Sequence, residues 1–243
     1  FPEQANAFMQ EVEVLQMLTH PNVVNLIGVC IMDFEKRNGL SIATEWCANG
    51  GLDRLIFDHE IKMTMKDVLK LVIEIVRGMQ FVHSKGLIHR DLKLANIMLT
   101  LTDQAKIGDF GTALFKTRTK GNIGTLGYQA PEVFLPPEDT EVNEYTSKID
   151  VYSFGICLWH MLTRSRANPL LGRGLNEIKM KTMIKRGKFL PWPEKLQAGP
   201  ESCMKTLKSV MDQCVAFNPD DRPDFTTIRK KLEELWSNVE YLQ

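Results

Sequence analysis

The sequence lacks an excess of charge of either sign, a cysteine framework and any apolar run approaching the length of a membrane span. Its 30 basic and 30 acidic side chains cancel, so nothing in the charge balance points to nucleic acid as a partner. Clusters such as Arg229-Lys230-Lys231 read as solvated helix faces. The 5 cysteines, Cys30, Cys47, Cys157, Cys203 and Cys214, are odd in number and include no C-x-x-C pair. Most lie in apolar runs, where thiols behave as small hydrophobes, which favours a reducing compartment over a disulfide scaffold. There is no secretory leader pattern, and the chain begins at Phe1 inside a helical approach. The expectation is therefore a cytoplasmic segment of a longer polypeptide. No internal repeat and no low-complexity tract interrupts it. With 44% hydrophobic residues over 243 positions, the chain can bury one large core or build two lobes.

What is present is a change of periodicity along the chain. Phe8, Val12, Leu15 and Leu18 recur at helical spacing and predict a first helix closed by Pro21-Asn22. Apolar runs from Val23 to Ile31 and from Leu40 to Trp46 flank Arg37-Asn38-Gly39, the pattern of an antiparallel hairpin. Beyond the break at Asn49-Gly50-Gly51 the pattern is mostly helical. Thr64 and Asp67 make a capping-box start for a long helix that ends near Gly86. Short β-rich runs, Ile97 to Thr100 and Ala105 to Ile107, flank a Thr102-Asp103 turn. Ser147 to Asp150 repeats the capping pattern ahead of Val151 to Leu162, a run apolar nearly all round and so a buried helix. Phe225, Ile228, Leu232 and Leu235 stripe the last helix. A few strands followed by many helices implies an α+β fold, with a small β-rich lobe joined to a mainly helical one.

The chemistry is concentrated in His89-Arg90-Asp91-Leu92-Lys93-Leu94-Ala95-Asn96, followed by Asp109-Phe110-Gly111. These segments supply a carboxylate, a cation, an amide and a second carboxylate beside a glycine. Phosphoryl transfer needs such a set: a group to orient the acceptor hydroxyl and take its proton, a cation to offset charge on the transferred group, and hard oxygen ligands for magnesium. Each residue alone could be an ordinary loop side chain. The long motif and D-F-G in this order resemble the protein kinases, whose catalytic loop reads H-R-D-x-K-x-x-N.

The resemblance covers the whole chain and implies an incomplete bilobal kinase fold. Residues 1–46 would hold the C-helix and strands four and five of the small lobe; residues 47–243 would hold the hinge and the large lobe. By the same resemblance Asp91 is the catalytic base, Lys93 neutralises the transferred phosphate, and Asn96 and Asp109 hold Mg2+. Thr44 is the gatekeeper, Glu45 to Cys47 is the hinge facing adenine, and Met98 is the adenine floor. His89 is implied to pack on Phe110, beside Gly111 of the metal loop. Arg90 suits bidentate capture of a phosphate on the activation segment. That segment runs from Asp109 to Ala130-Pro131-Glu132 and carries Thr117 and Thr119 as candidate phosphosites. Thr125 matches the substrate-side threonine that bonds the catalytic Asp and Lys. Glu132 and Arg222 match a buried ion pair, and Asp150 the carboxylate that braces the catalytic loop. Lys93, Thr125 and the Asp150 and Asp221-Arg222-Pro223 segments resemble the tyrosine-kinase-like group of serine/threonine kinases.

Two family motifs do not occur in the sequence: the glycine-rich G-x-G-x-x-G loop and the V-A-I-K lysine. Glu11 matches the C-helix glutamate that pairs with that lysine. The expectation is an ATP-dependent serine/threonine kinase acting in signalling, with protein substrates and Mg2+, whose 243 residues alone have little activity. The competing expectation is a pseudokinase or scaffold that binds partners through its helical lobe.

Overall fold

The computed structural model describes residues 2–32, 38–115, 118–119, 123–134, 143–144, 146–166 and 201–240. The first helix, α1 (Pro2–Gln16), turns Val12, Val14 and Leu15 inward. It stops before the predicted proline: Met17 and Leu18 close it with turns onto Val14 and Leu15, and Leu18 is buried just past its end. Strand β1 (Leu26–Met32) pairs antiparallel with β2 (Asn38–Thr44), with Val29 opposite Ile42 and Cys30 opposite Ser41. Both boundaries differ from the sequence reading. Val23 and Val24 are not in β1; Val23 forms an isolated parallel bridge with Ile107, made by the Val24 N–H donating to the Ile107 carbonyl and the Ile107 N–H to the Asn22 carbonyl. Asn38 and Gly39 are strand residues, with Asn38 opposite Met32, whereas Arg37 lies outside the described residues.

Strand β3 (Gly50–Gly51) leads into the short helix α2 (Leu52–Phe57). The long helix α3 (Met65–Ser84) begins with the expected capping box: the Asp67 N–H donates to Thr64 Oγ1 at 3.2 Å and the Thr64 N–H donates to Asp67 Oδ2 at 2.8 Å. This helix passes close to the segment before β1. A Cβ on Gly78 would lie 2.4 Å from the Asn22 carbonyl oxygen, so only glycine allows the approach.

Short strands then deliver the functional loops. β4 (Leu87–Ile88) precedes the loop of residues 89–96 and pairs with β7 (Leu114–Phe115), beyond Asp109-Phe110-Gly111. β5 (Ile97–Leu99) and β6 (Ala105–Ile107) join β3 in a three-stranded sheet of order β3-β5-β6. β8 (Arg118–Thr119) pairs with β9 (Asn143–Glu144), and α4 (Pro131–Phe134) lies between them.

Helix α5 (Lys148–Thr163) is buried at every position from Ile149 to Leu162, as its apolar sequence predicts. Its start differs from the expectation. Ser147 makes no side-chain cap, and the Asp150 carboxylate points away to the catalytic loop rather than back to the helix start. Helices α6 (Glu201–Cys214) and α7 (Phe225–Glu240) complete the helical lobe. α6 packs on α5 and α7 on α3, with Phe225, Ile228, Leu232 and Leu235 buried. Among the described residues no disulfide forms and no helix is long and apolar enough to cross a membrane.

Candidate active site

The loop between β4 and β5 is held from below by one carboxylate. Asp150 Oδ2 accepts the His89 N–H at 2.8 Å and Oδ1 accepts the Arg90 N–H at 2.9 Å. His83, near the end of α3, bonds Oδ2 at 2.8 Å through Nε2. These bonds stabilise a loop in which Arg90 has a left-handed backbone with φ 69°. Burial pushes the Asp150 carboxyl up, but the His83 hydrogen bond, the nearby His83 and His89 charges and the backbone donor outweigh it, and the group lies below its ordinary value.

Above this support, Asp91, Lys93 and Thr125 close a triangle. Lys93 Nζ donates to Asp91 Oδ2 at 2.6 Å and to Thr125 Oγ1 at 2.8 Å, and Thr125 Oγ1 donates to Asp91 Oδ1 at 2.7 Å. The Asn96 amide nitrogen donates to the Asp91 carbonyl at 2.9 Å and to Oδ2 at 3.2 Å. Burial raises the Asp91 carboxyl, yet the Lys93 and Thr125 bonds and the Lys93 charge bring it below its ordinary value. Asp91 is therefore an oriented carboxylate at neutral pH. Gly124, at φ 91°, brings the Thr125 segment against the loop: a Cβ there would lie 2.7 Å from the Arg90 carbonyl oxygen.

His89 and Phe110 pack with ring centroids 5.1 Å apart, and His89 Nε2 bonds the Gly108 carbonyl at 2.9 Å. Phe110 is buried while its neighbour Asp109 is exposed, with φ 61°. The buried ring and the bonded strand ends fix the turn that presents the Asp109 carboxylate to the cleft. Glu11 of α1 faces the same place. A Cβ on Gly111 would lie 3.5 Å from Glu11 Oε2 and 3.6 Å from Asp109 Oδ1. Burial, and then the Asp109 charge, raise the Glu11 carboxyl. Asp109 and Asn96 both offer hard oxygen donors. With Asn96 Nδ2 turned to Asp91, the amide oxygen is the atom left to face a cation. Among the described residues no group of three or more His, Cys, Asp or Glu side chains forms a metal cluster.

The cleft of about 380 Å³ beside these residues is lined by Glu11, Leu15, Thr44, Glu45, Cys47, Met98, Asp109 and Phe110, with Val24, Ile42, Trp46 and Gly108. It brings together the residues expected from the sequence at the nucleotide site. The Glu45 N–H donates to the Asn25 carbonyl at 3.0 Å, so a donor to a bound base must come from another peptide group of this segment. Trp46 is 86% exposed at the rim.

Farther out, Arg222 and Glu132 form a bidentate pair at 2.7 and 2.8 Å. Arg90 Nε donates to the Thr112 carbonyl, and Thr112 Oγ1 donates to the His89 carbonyl at 3.0 Å, joining the loop to the start of the activation segment. Thr119 lies in β8, and Thr117 lies outside the described residues. Two contributors were missed from the sequence. His83 could have been noticed as a polar residue near the buried end of an apolar helix. Lys106, buried and paired with Glu45 at 2.9 Å, stands out as a charge inside an apolar strand.

The comparisons agree with this geometry. Residues 2–232 match the profile described as "Protein tyrosine and serine/threonine kinase". The chain is 35% identical over 231 residues to the Arabidopsis thaliana protein "Serine/threonine/tyrosine-protein kinase HT1", covering 93% of this chain and 54% of that protein. It is 34% identical over 235 residues to the Dictyostelium discoideum "Probable serine/threonine-protein kinase drkD", covering 95% of this chain and 17% of that protein. It is 32% identical over 246 residues to the Caenorhabditis elegans "Raf homolog serine/threonine-protein kinase", covering 96% of this chain and 28% of that protein. The chain thus spans about half or less of the length of these relatives. With the profile matching almost from end to end, the chain belongs to the protein tyrosine and serine/threonine kinase family.

Proposed function

We propose that the protein transfers the γ-phosphate of ATP to serine or threonine hydroxyls of protein substrates, in signalling. The observation that carries this reading is the closed triangle of Asp91, Lys93 and Thr125. An acceptor hydroxyl placed beside Asp91 would meet a carboxylate already oriented by Lys93, Thr125 and Asn96, and would pass its proton to it as the phosphoryl group arrives. Lys93 sits where it can offset charge on the transferred group. Thr125 holds Lys93 and Asp91 together from the side on which a peptide would lie. The lysine two residues after Asp91 and the threonine at 125 have the forms of the serine/threonine kinases that the sequence resembles, which favours serine or threonine as acceptor.

Asn96 and Asp109 would hold Mg2+ through oxygen, a donor set that fits this cation. Bound there, magnesium would neutralise phosphate oxygens. The segment Glu45 to Cys47, with Thr44 and Met98, would receive the adenine base. His89, Phe110 and Asp150 would position these groups, and Arg90 would answer phosphorylation of the segment carrying Thr117 and Thr119. The relatives' names, two of them serine/threonine-protein kinases and one a serine/threonine/tyrosine-protein kinase, support a protein kinase of this class. Phosphoamino-acid analysis of a protein substrate treated with the full chain and Mg-ATP tests the reading. Phosphoserine and phosphothreonine are expected, and a product dominated by phosphotyrosine would overturn the acceptor assignment.

A further inference from the structure

Lys106 is 6% exposed, on the strand that leads to Asp109. Its Nζ donates to Glu45 Oε1 at 2.9 Å, and the same oxygen accepts the Asn25 N–H at 2.7 Å. Between strand β6 and Glu45 runs the segment 22–25, bonded on both sides. The Val24 N–H donates to the Ile107 carbonyl at 2.8 Å, the Ile107 N–H donates to the Asn22 carbonyl at 2.9 Å, and the Glu45 N–H donates to the Asn25 carbonyl at 3.0 Å. The Lys106–Glu45 ion pair spans this segment and links the two walls of the cleft directly. One wall is Glu45 to Cys47; the other is Gly108 and Asp109.

We infer that Lys106 is a positioning residue for the nucleotide. Its ion pair sets the separation between the backbone that would bond the base and the carboxylate that would face the phosphates. The inference rests on the kinase reading above. A nucleotide must satisfy both ends of the cleft at once, so a fixed spacing lowers the ordering cost of binding. A buried ion pair adds little net stability compared with apolar residues of similar size, and its directional bonds are better suited to holding a register. Lys106 takes no part in the triangle of Asp91, Lys93 and Thr125, which would meet the peptide.

Steady-state kinetics of the full-length protein that contains these residues, with Mg-ATP and a serine/threonine peptide, test this. Lys106→Met should raise the KM for ATP about tenfold while leaving kcat and the peptide KM close to their original values. Lys106→Arg, which keeps the charge, should recover most of the loss. Lys106→Gln keeps a donor for Glu45 Oε1 but removes the charge, so it should give a smaller rise, and it carries the test if Lys106→Met does not fold. An unchanged KM for ATP in the folded variants would overturn the inference. So would a parallel deterioration of kcat and peptide KM that Lys106→Arg does not correct, because that is general loosening. A full-length protein containing these residues that shows no nucleotide binding or turnover would overturn the kinase reading and this inference with it, whereas normal turnover with an unaffected Lys106→Met overturns this inference alone.

Discussion

His83 on α3 and Asp150 on α5 share a hydrogen bond of 2.8 Å, and the same carboxylate anchors the backbone of the catalytic loop. Asp150 has no exposed surface, so its charge is compensated wholly by these partners. Leaving the donors around a buried, hydrogen-bonded carboxylate without their charged acceptor costs ~3–5 kcal/mol. Asp150→Asn should therefore lower unfolding stability by roughly that amount and reduce turnover with it, since one amide oxygen cannot replace two carboxylate acceptors. Chemical denaturation checks the first effect. The pH dependence has a defined sign. A carboxyl held below its unfolded value in the folded chain contributes stability above that unfolded value and loses it as pH falls through the folded one. Acid melts of the unsubstituted protein should decline more steeply than those of Asp150→Asn, the two converging at low pH.

Arg222 is 1% exposed, and its guanidinium is fully used. Besides the two bonds to Glu132, it donates to the carbonyls of Ala216, Lys148 and Phe217 at 2.8, 3.0 and 3.1 Å. A lysine cannot reproduce this fork. Arg222→Lys should cost about 3–5 kcal/mol, with ~1–3 kcal/mol from each buried acceptor left unpaired and partial relaxation of the rest. A melting midpoint within a degree or two of the original would show that the pair is not a support.

Thr125 separates a role in positioning from a role in folding. Thr125→Ser keeps the hydroxyl that bridges Lys93 and Asp91, while Thr125→Val keeps the shape and removes it. The expected result is near-normal peptide phosphorylation for the serine variant. For the valine variant, turnover should fall by about tenfold or more, since both charge-assisted hydrogen bonds of that hydroxyl, to Lys93 and to Asp91, are lost. Equal activities would remove Thr125 from the site.

Asp109→Asn keeps the size of the side chain but removes a full negative charge from the cleft. Magnesium titrations of ATP turnover should show a requirement for much higher metal concentration, and the Glu11 carboxyl, relieved of its neighbour, should titrate closer to its ordinary range. An unshifted magnesium dependence would contradict the metal assignment.

The parts of the fold legible in the sequence were those where one pattern decides the outcome. The Thr64–Asp67 capping box and the all-apolar run that became α5 follow from local chemistry and burial. The boundaries that moved were set by tertiary partners. Val23 and Val24 look like strand residues but lie beside Ile107 outside β1, and Asp150, which fits a cap pattern locally, serves His89 and Arg90, 61 and 60 residues earlier, a role that only the resemblance implied. The candidate site was largely visible because Asp91, Lys93 and Asn96 lie within one short loop. His83 and Lys106 were not, because each matters only through a partner, Asp150 or Glu45, that no local spacing connects to it.

The central claim is that Asp91 orients and deprotonates the acceptor hydroxyl in a phosphoryl transfer. Asp91→Asn preserves size and the backbone bond to Asn96 but removes the proton acceptor. Phosphorylation of a serine/threonine peptide by the full-length protein that contains these residues, measured beside Mg-ATP binding, tests it most directly. The account predicts binding close to that of the unsubstituted protein with turnover reduced ~10²–10⁴-fold; near-normal turnover in Asp91→Asn would contradict it.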